Sequence, residues 1–361
     1  LQPPEKVAKK EVVMNKKKRP VELQRCNVCG EWKGILNGQE INCLCDGPLC
    51  QRCGKNRLHR PVSYYWDEER EQVIHVPWCV GFSLICDECR LEEYNNEFLG
   101  LAVRGAIVGD IIGSAYEGQR VDREDFRLFS GGSRFTDDTV LTLAIAEAIL
   151  TGEDYGTMLK RYGRLYPYAG YGRHFGMWLW SNDMIPYNSF GNGSAMRVSP
   201  IGVAFNTKKE VLREAKKTAE VTHNHPEGIK GAQAVALAVH LASRRHDKES
   251  IKDEIQNTFQ YDLSRPFEEL GPEAGFTVSC QETVPLALIA FLYSKDYEDA
   301  VRKAVSLGGD TDTLACISGS IAGAFYREIP DNFIRQSIVR LTPELLRVVN
   351  DFEFTYTFSG E

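Results

Sequence analysis

No stretch of this 361-residue chain stays apolar for the roughly 18 to 20 residues that a membrane-spanning helix needs, so a helical membrane protein is excluded. No membrane partner is expected. An initiator methionine is also missing, and the chain reads as a fragment or a processed product. Its first twenty residues lack the apolar core of a signal peptide, and Lys9, Lys10, Lys16, Lys17, Lys18 and Arg19 make them a basic, solvated arm instead. Beyond Cys89 cysteine is nearly absent: only Cys280 and Cys316 occur, each alone among apolar residues, and both read as inert core thiols. Strand-like alternation of any length is missing after residue 100, which leaves helix as the regular structure there. The net charge of −7 is mild, and with an ordinary apolar content it fits a soluble protein.

What the chain does have is a concentration of cysteine near its start. Nine of the eleven cysteines lie between Cys26 and Cys89, as three C-x-x-C pairs and one C-x-C. That spacing suits tetrahedral zinc in a reducing, cytoplasmic compartment better than a disulfide framework. Cys26, Cys29, Cys50 and Cys53 suffice for one zinc ion, while Cys43, Cys45, Cys86 and Cys89 supply ligands for a second. Cys79, His59 and His75 are available as substitutes, so the pairing stays open. One or two structural Zn²⁺ are expected, standing in for a core too small to fold alone. Val62–Trp66 and Gln72–Val76 flank Asp67–Glu71 and read as two short strands around a polar turn. Aromatic residues beside Arg57, His59 and Arg60 offer nucleic acid a surface, as does the basic arm, with plain packing the competing reading. The expected organisation is a basic flexible tail over 1–23, a cysteine-rich zinc-binding domain over 24–95 and a helical domain over 96–361.

In the helical part, polar residues fall where apolar ones are expected. Asp110 lies on the apolar face of a helical pattern through Val103, Ile107 and Ile111, and a buried carboxylate is costly unless paired or bound to a metal. Glu117 follows on that face where Gly118 ends the pattern. Thr136-Asp137-Asp138-Thr139 opens one apolar helix, and Gly308-Gly309-Asp310-Thr311-Asp312-Thr313 opens another. Asp and Thr are ordinary helix caps, so one such opening means little, but two copies crowd hard oxygen donors of the kind Mg²⁺ or Mn²⁺ prefers. Between them, Gly191, Asn192, Gly193, Ser194 and Met196 form a loop dense in glycine and small polar groups, where backbone N–H groups approach an anion closely. It is not a Walker loop, since the lysine and the spacing are missing. His223 and His225 precede a helix that starts at Pro226, where an imidazole suits a diphosphate.

Residues of about 100 to 330 resemble the ADP-ribosylglycohydrolase family, which includes the dinitrogenase-reductase-activating glycohydrolases. The resemblance runs in order through GAIVGDIIGSAYEG, RFTDDT, SFGNGSAMR, THNHPEGIKGAQA and LGGDTDTLACISGSIAGAF. It implies an all-α, compact multi-helix domain with a dinuclear Mg²⁺ or Mn²⁺ centre, whose ligands fall on Thr136, Asp137, Asp138, Asp310, Asp312 and Thr313. The family's mobile acidic residue falls on Glu117. The expected activity is hydrolysis of the bond joining ADP-ribose to a macromolecule, most readily a protein side chain such as arginine. Glu117, Asp138 and Asp312 are the candidate catalytic carboxylates. Gly191, Asn192, Gly193, Ser194, Met196, His223 and His225 are the candidate substrate contacts. A small ADP-ribose conjugate, ADP-ribosylated nucleic acid, or a role as a non-catalytic ADP-ribose reader are the alternatives. The cysteine-rich segment lies outside the resemblance.

Overall fold

Apolar and small residues recurring at helical spacing beyond residue 100 fold into helices throughout. The computed structural model describes residues 101–119, 121, 126–270 and 277–357, together with six short strands between residues 10 and 76. Its contacts divide the chain into two units, Leu1–Glu97 and Phe98–Glu361.

In the first unit, strands β1 (Lys10–Glu11), β2 (Glu22–Arg25), β3 (Trp32–Leu36) and β4 (Gln39–Ile41) form one antiparallel sheet in that order. The first two fall largely within the span read as a tail. Strands β5 (Ser63–Asp67) and β6 (Gln72–Val76) form the expected hairpin, with Ser63 opposite Val76 and Asp67 opposite Gln72. Cys26, Cys29, Cys43, Cys45, Cys50, Cys53, Cys86 and Cys89 all lie outside the described residues.

The second unit is built on two helices in backbone contact. Helix α1 (Ala102–Gly113) is buried along its whole length, and Gly105, Gly109 and Gly113 face the last long core helix, Thr311–Tyr326. A Cβ at Gly109 would lie 2.1 Å from the Ala315 carbonyl oxygen, and one at Gly105 would lie 2.3 Å from that of Gly319. Only glycine permits that approach. Around this pair stand α2 (Asp137–Thr151), α3 (Tyr155–Leu165), α4 (Arg173–Trp180), α5 (Ser199–Ala204), α6 (Lys208–Glu220), α7 (Pro226–Ser243) and α8 (Lys248–Phe259). They are followed by α9 (Cys280–Leu292), α10 (Tyr297–Ser306), α11 (Thr311–Tyr326), α12 (Asp331–Ile338) and α13 (Pro343–Thr357). Helix α1 stops at Gly113, one turn earlier than the glycine at 118 suggests, and residues 114–118 form a turn that carries Glu117 to an exposed position.

Two ionic contacts, one buried and one half-buried, hold α13 against the core. Arg104 on α1 donates Nε to both carboxylate oxygens of Glu353 (3.2 and 3.0 Å) and Nη2 to one of them (2.5 Å). Glu147 on α2 accepts from Arg347 at 2.6 Å and from the Tyr162 hydroxyl. Removing the arginine of either pair strands a buried carboxylate, which makes the closing helix dependent on both. Cys280 and Cys316 are buried free thiols, as their surroundings imply. No helix among the described residues is long and apolar enough to cross a membrane.

Candidate metal centre and ligand cleft

The acidic cluster is assembled by two helix starts and one helix interior. Gly308 and Gly309 both take left-handed backbone angles (φ +72° and +73°), which lets the chain turn sharply into α11. Asp310 occupies the cap position of that helix, yet its side chain makes no cap bond; instead Oδ2 accepts from Asn192 Nδ2 at 2.7 Å. Thr136 does cap α2, accepting from the Asp138 backbone N–H. Capping thus explains one opening and not the other.

Asp110, in the interior of α1, holds the α2 opening in place. Its Oδ2 accepts the backbone N–H groups of Thr136 (2.9 Å) and Thr139 (3.2 Å), its Oδ1 accepts the Thr136 hydroxyl (2.7 Å), and the Thr139 hydroxyl bonds it as well. With its lone pairs committed in this way, Asp110 shapes the turn that presents Asp137 and Asp138. The Thr136 and Thr313 hydroxyls both lean on Asp138 Oδ2, at 3.3 and 3.4 Å. Asp138 Oδ1, fully buried, has no partner.

Electrostatics identify what the cluster lacks. Burial, then repulsion from Asp312, pushes Asp110 up to about 7. Burial and mutual repulsion also hold Asp137, Asp138 and Asp312 well above the usual carboxylate range, and burial raises Asp310. A cationic partner would lower these values, so positive charge is what the site is short of. Carboxylate oxygens of Asp110, Asp138 and Asp312 lie within 4.8 Å of one another, as do those of Glu117, Asp310 and Asp312. An all-oxygen donor set with an orphaned buried carboxylate oxygen fits hard divalent cations such as Mg²⁺ or Mn²⁺.

This cluster forms one wall of a cleft of about 440 Å³ that Thr136, Asp137, Asp138, Asp310, Asp312 and Thr313 all line, with Glu117 at its edge. The facing wall is the turn at Gly191, Asn192 and Gly193, with Met196 and His223 beside it. That turn is stitched down on several sides. The Asn192 N–H donates to the Val278 carbonyl (2.7 Å), the Cys280 N–H to the Phe190 carbonyl (2.9 Å), and the Cys280 thiol to the Gly191 carbonyl (3.1 Å). Asn192 also donates to Thr283, so one amide ties this wall to the acidic one.

Two expected substrate contacts fall outside the lining. Ser194 is fully buried and spends its hydroxyl on the Gly228 carbonyl at 2.7 Å. His225 caps α7, accepting from the Glu227 N–H at 3.2 Å, and its ring packs against Phe190. Both hold the loop and leave the cleft to others. Conversely, Arg134, His174, Phe175, Tyr187, Arg197 and Val278 line the cleft without having been singled out. Arg197 and Tyr187 bound the glycine-rich loop in sequence, a signal that was readable; His174 carries none.

The family model for ADP-ribosylglycohydrolase matches residues 92–353, well over half of the chain. The chain belongs to the ADP-ribosylglycohydrolase family. It is therefore a hydrolase of glycosyl bonds. Among curated relatives, ADP-ribosylhydrolase ARH3 of Bos taurus is 28% identical over 312 residues, covering 63% of this chain and 85% of that protein. ADP-ribosylarginine hydrolase Tri1 of Pseudomonas putida is 28% identical over 277 residues, covering 66% of this chain and 72% of its own. A solved structure described as an ADP-ribosylglycohydrolase-related protein complex superposes with a TM-score of 0.56 at 26% identity, covering 73% of this chain and 99% of that one. In this ADP-ribosylglycohydrolase, the first unit lies outside the matched span apart from its last residues.

Proposed function

We propose that this ADP-ribosylglycohydrolase releases ADP-ribose from a modified macromolecule, with a protein side chain such as arginine as the first candidate acceptor. The observation that carries the reading is the pairing, within one cleft, of an oxygen-only acidic cluster with a backbone turn suited to a diphosphate. The relatives support it: one is named an ADP-ribosylhydrolase and another an ADP-ribosylarginine hydrolase.

Asp137, Asp138, Asp310 and Asp312, with Thr136 and Thr313, would hold two Mg²⁺ or Mn²⁺ ions. Bound there, the ions supply Lewis-acid attraction for the ribose hydroxyls and for a water near the anomeric carbon. The chain's own groups do the rest. Glu117, exposed on the cleft edge and close to Asp310 and Asp312, would exchange a proton at the scissile bond. Developing positive charge on the ribose ring is stabilised by the surrounding carboxylates. The Gly193 backbone and His223 hold the diphosphate, since the Gly191 and Asn192 N–H groups are spent on Ser189 Oγ and the Val278 carbonyl, and the Asn192 side chain keeps that wall at a fixed spacing from Asp310.

Arginine-, serine- and nucleobase-linked ADP-ribose, offered with Mg²⁺ or Mn²⁺ and read by mass spectrometry for released ADP-ribose, test the proposal directly. Release from at least one linkage, abolished by chelation, is expected; release from none would refute it. Glu117→Gln is expected to lower kcat roughly 10²–10⁴-fold while ADP-ribose binding is retained.

For residues 24–95 we infer one or two structural Zn²⁺ ions held by Cys26, Cys29, Cys43, Cys45, Cys50, Cys53, Cys86 and Cys89. The reading rests on cysteine spacing alone. Elemental analysis of the purified chain decides it, and a zinc content near zero under reducing conditions would end it.

A further inference from the structure

A surface helix ordinarily turns polar residues to water, and a concentration of exposed apolar ones marks a face that something else covers. Among the described residues ten large apolar side chains stand exposed, and seven of them lie between Leu165 and Phe190, the segment that also borders the cleft. Helix α4 is the centre of that concentration. Its sequence, RHFGMWLW, is apolar on both faces: Phe175, Trp178 and Leu179 are buried, while Met177 and Trp180, one turn apart, are 65% and 62% exposed. Met184 and Ile185 follow in the next loop and are exposed as well. The inner face accounts for the packing of the helix and leaves the outer one without a part in the fold.

Trp180 is held in place. Arg164 donates Nε to the Leu179 carbonyl (2.8 Å) and Nη2 to the Ser181 carbonyl (3.1 Å), and its guanidinium lies 5.8 Å from the centre of the Trp180 ring. A fixed, exposed tryptophan beside a methionine has the composition of an interface anchor.

This face starts at the metal side of the cleft. The Ala169 carbonyl accepts the Asp137 N–H (2.9 Å), a Cβ at Gly170 would lie 3.4 Å from Asp137 Oδ1, and Arg173, His174 and Phe175 in the first turn of α4 line the cleft. Trp180 then lies about 10 Å along the helix from Arg173. An ADP-ribose whose distal ribose is gripped by the acidic cluster has its scissile bond beside Asp137 and Asp138. Its acceptor is therefore nearest this rim, and a polypeptide acceptor must rest outside the cleft. We propose that the outer face of α4, with Met177 and Trp180 as its anchors, docks the acceptor protein by seating apolar residues that flank the modified side chain. The inference rests on the reading of the cleft as an ADP-ribose site and names what lies beyond it.

Steady-state kinetics of the full chain with Mg²⁺ compare an arginine-ADP-ribosylated protein with free ADP-ribosylarginine, or the serine-linked pair where that is the linkage the parent releases. Met177→Ser/Trp180→Ser is expected to raise KM for the modified protein about tenfold and to leave kcat, and both constants for the small conjugate, unchanged. Both side chains are exposed, so the substitutions leave the core intact. Tyr293→Ser is the control: Tyr293 is also exposed but follows α9, about 20 Å along that helix from the Cys280 that bonds the cleft wall, and it should change neither substrate's constants. An unchanged KM for the modified protein, an equal rise for the small conjugate, or the same rise in the control overturns the proposal. A parent dimer that the double variant splits into monomers in sedimentation velocity would assign the face to a second copy of this chain and overturn it too. A parent that releases ADP-ribose from neither form refutes the functional reading, and the docking role falls with it; release from both with no change in the double variant refutes the docking role alone.

Discussion

Asp110 decides how the α2 opening meets the α11 opening, although it is not among the ligands that the family resemblance assigns. Four donors converge on its carboxylate, two of them backbone N–H groups. Asp110→Asn keeps the shape but removes the charge and one oxygen: with the amide oxygen kept toward the Thr136 and Thr139 N–H groups, the new N–H₂ faces the Thr136 hydroxyl, which must turn from donor to acceptor. Metal affinity is expected to fall about 10- to 100-fold, as when an outer partner of a ligand is lost, and Mn²⁺ titration followed by electron paramagnetic resonance reads it. Unchanged affinity would mean that the Thr136–Thr139 turn holds its shape without this anchor. At this scale the sequence was informative about residue type and silent about partners. A carboxylate on an apolar face announces that something compensates it, and the doubled Asp-rich openings point to metal. That Asn192 reaches Asp310, 118 residues away, or that Ser194 and His225 turn away from the cleft, depends on contacts between distant segments that no local spacing encodes.

Between elements, the glycines of α1 matter more than its apolar face. Helix α1 is buried all round, so periodicity correctly announced a helix and could not say which side meets which neighbour. The partner is legible only in retrospect, from the matching small residues Ala315, Gly319 and Gly323 on α11. Gly109→Ala would put a methyl group 2.1 Å from the Ala315 carbonyl oxygen, and both atoms belong to rigid helices, so the pair must separate. A loss of roughly 1–3 kcal/mol in urea unfolding is expected. Metal affinity should fall with it, because Asp110 follows Gly109 on one helix while Asp312 and Thr313 ride on the other. Gly131→Ala, where an added Cβ meets nothing within 4 Å, is the control and should change neither quantity. Equal behaviour of the two variants would mean that the α1–α11 spacing is slack.

Across the whole molecule, composition divides the chain where contacts divide it, with cysteine before residue 90 and helices after 100. What composition conceals is how the folded chain responds to pH, because that depends on burial. His240, buried in α7 with Nδ1 unpartnered, is pushed down to about 4 by burial and then by Arg244. The unfolded chain binds that proton near pH 6.5 and the folded chain does not. Stability from this group is therefore complete above about pH 6.5 and is lost as the pH falls toward about 4, by on the order of 3 kcal/mol. The acidic cluster opposes it. Carboxylates raised in the folded state bind protons more readily there than when unfolded, so protonating them stabilises the metal-free fold as the pH drops. A pH profile of the parent protein alone mixes the two trends. Comparing it with His240→Gln removes the cluster's contribution, which is common to both chains, and leaves the imidazole. Urea midpoints measured at pH 7.5, 5.5 and 4.5 with chelator present should fall further for the parent than for the variant on acidification. A constant difference across that range would mean that His240 takes up its proton as readily in the fold as in the unfolded chain and that its burial carries no pH-dependent cost.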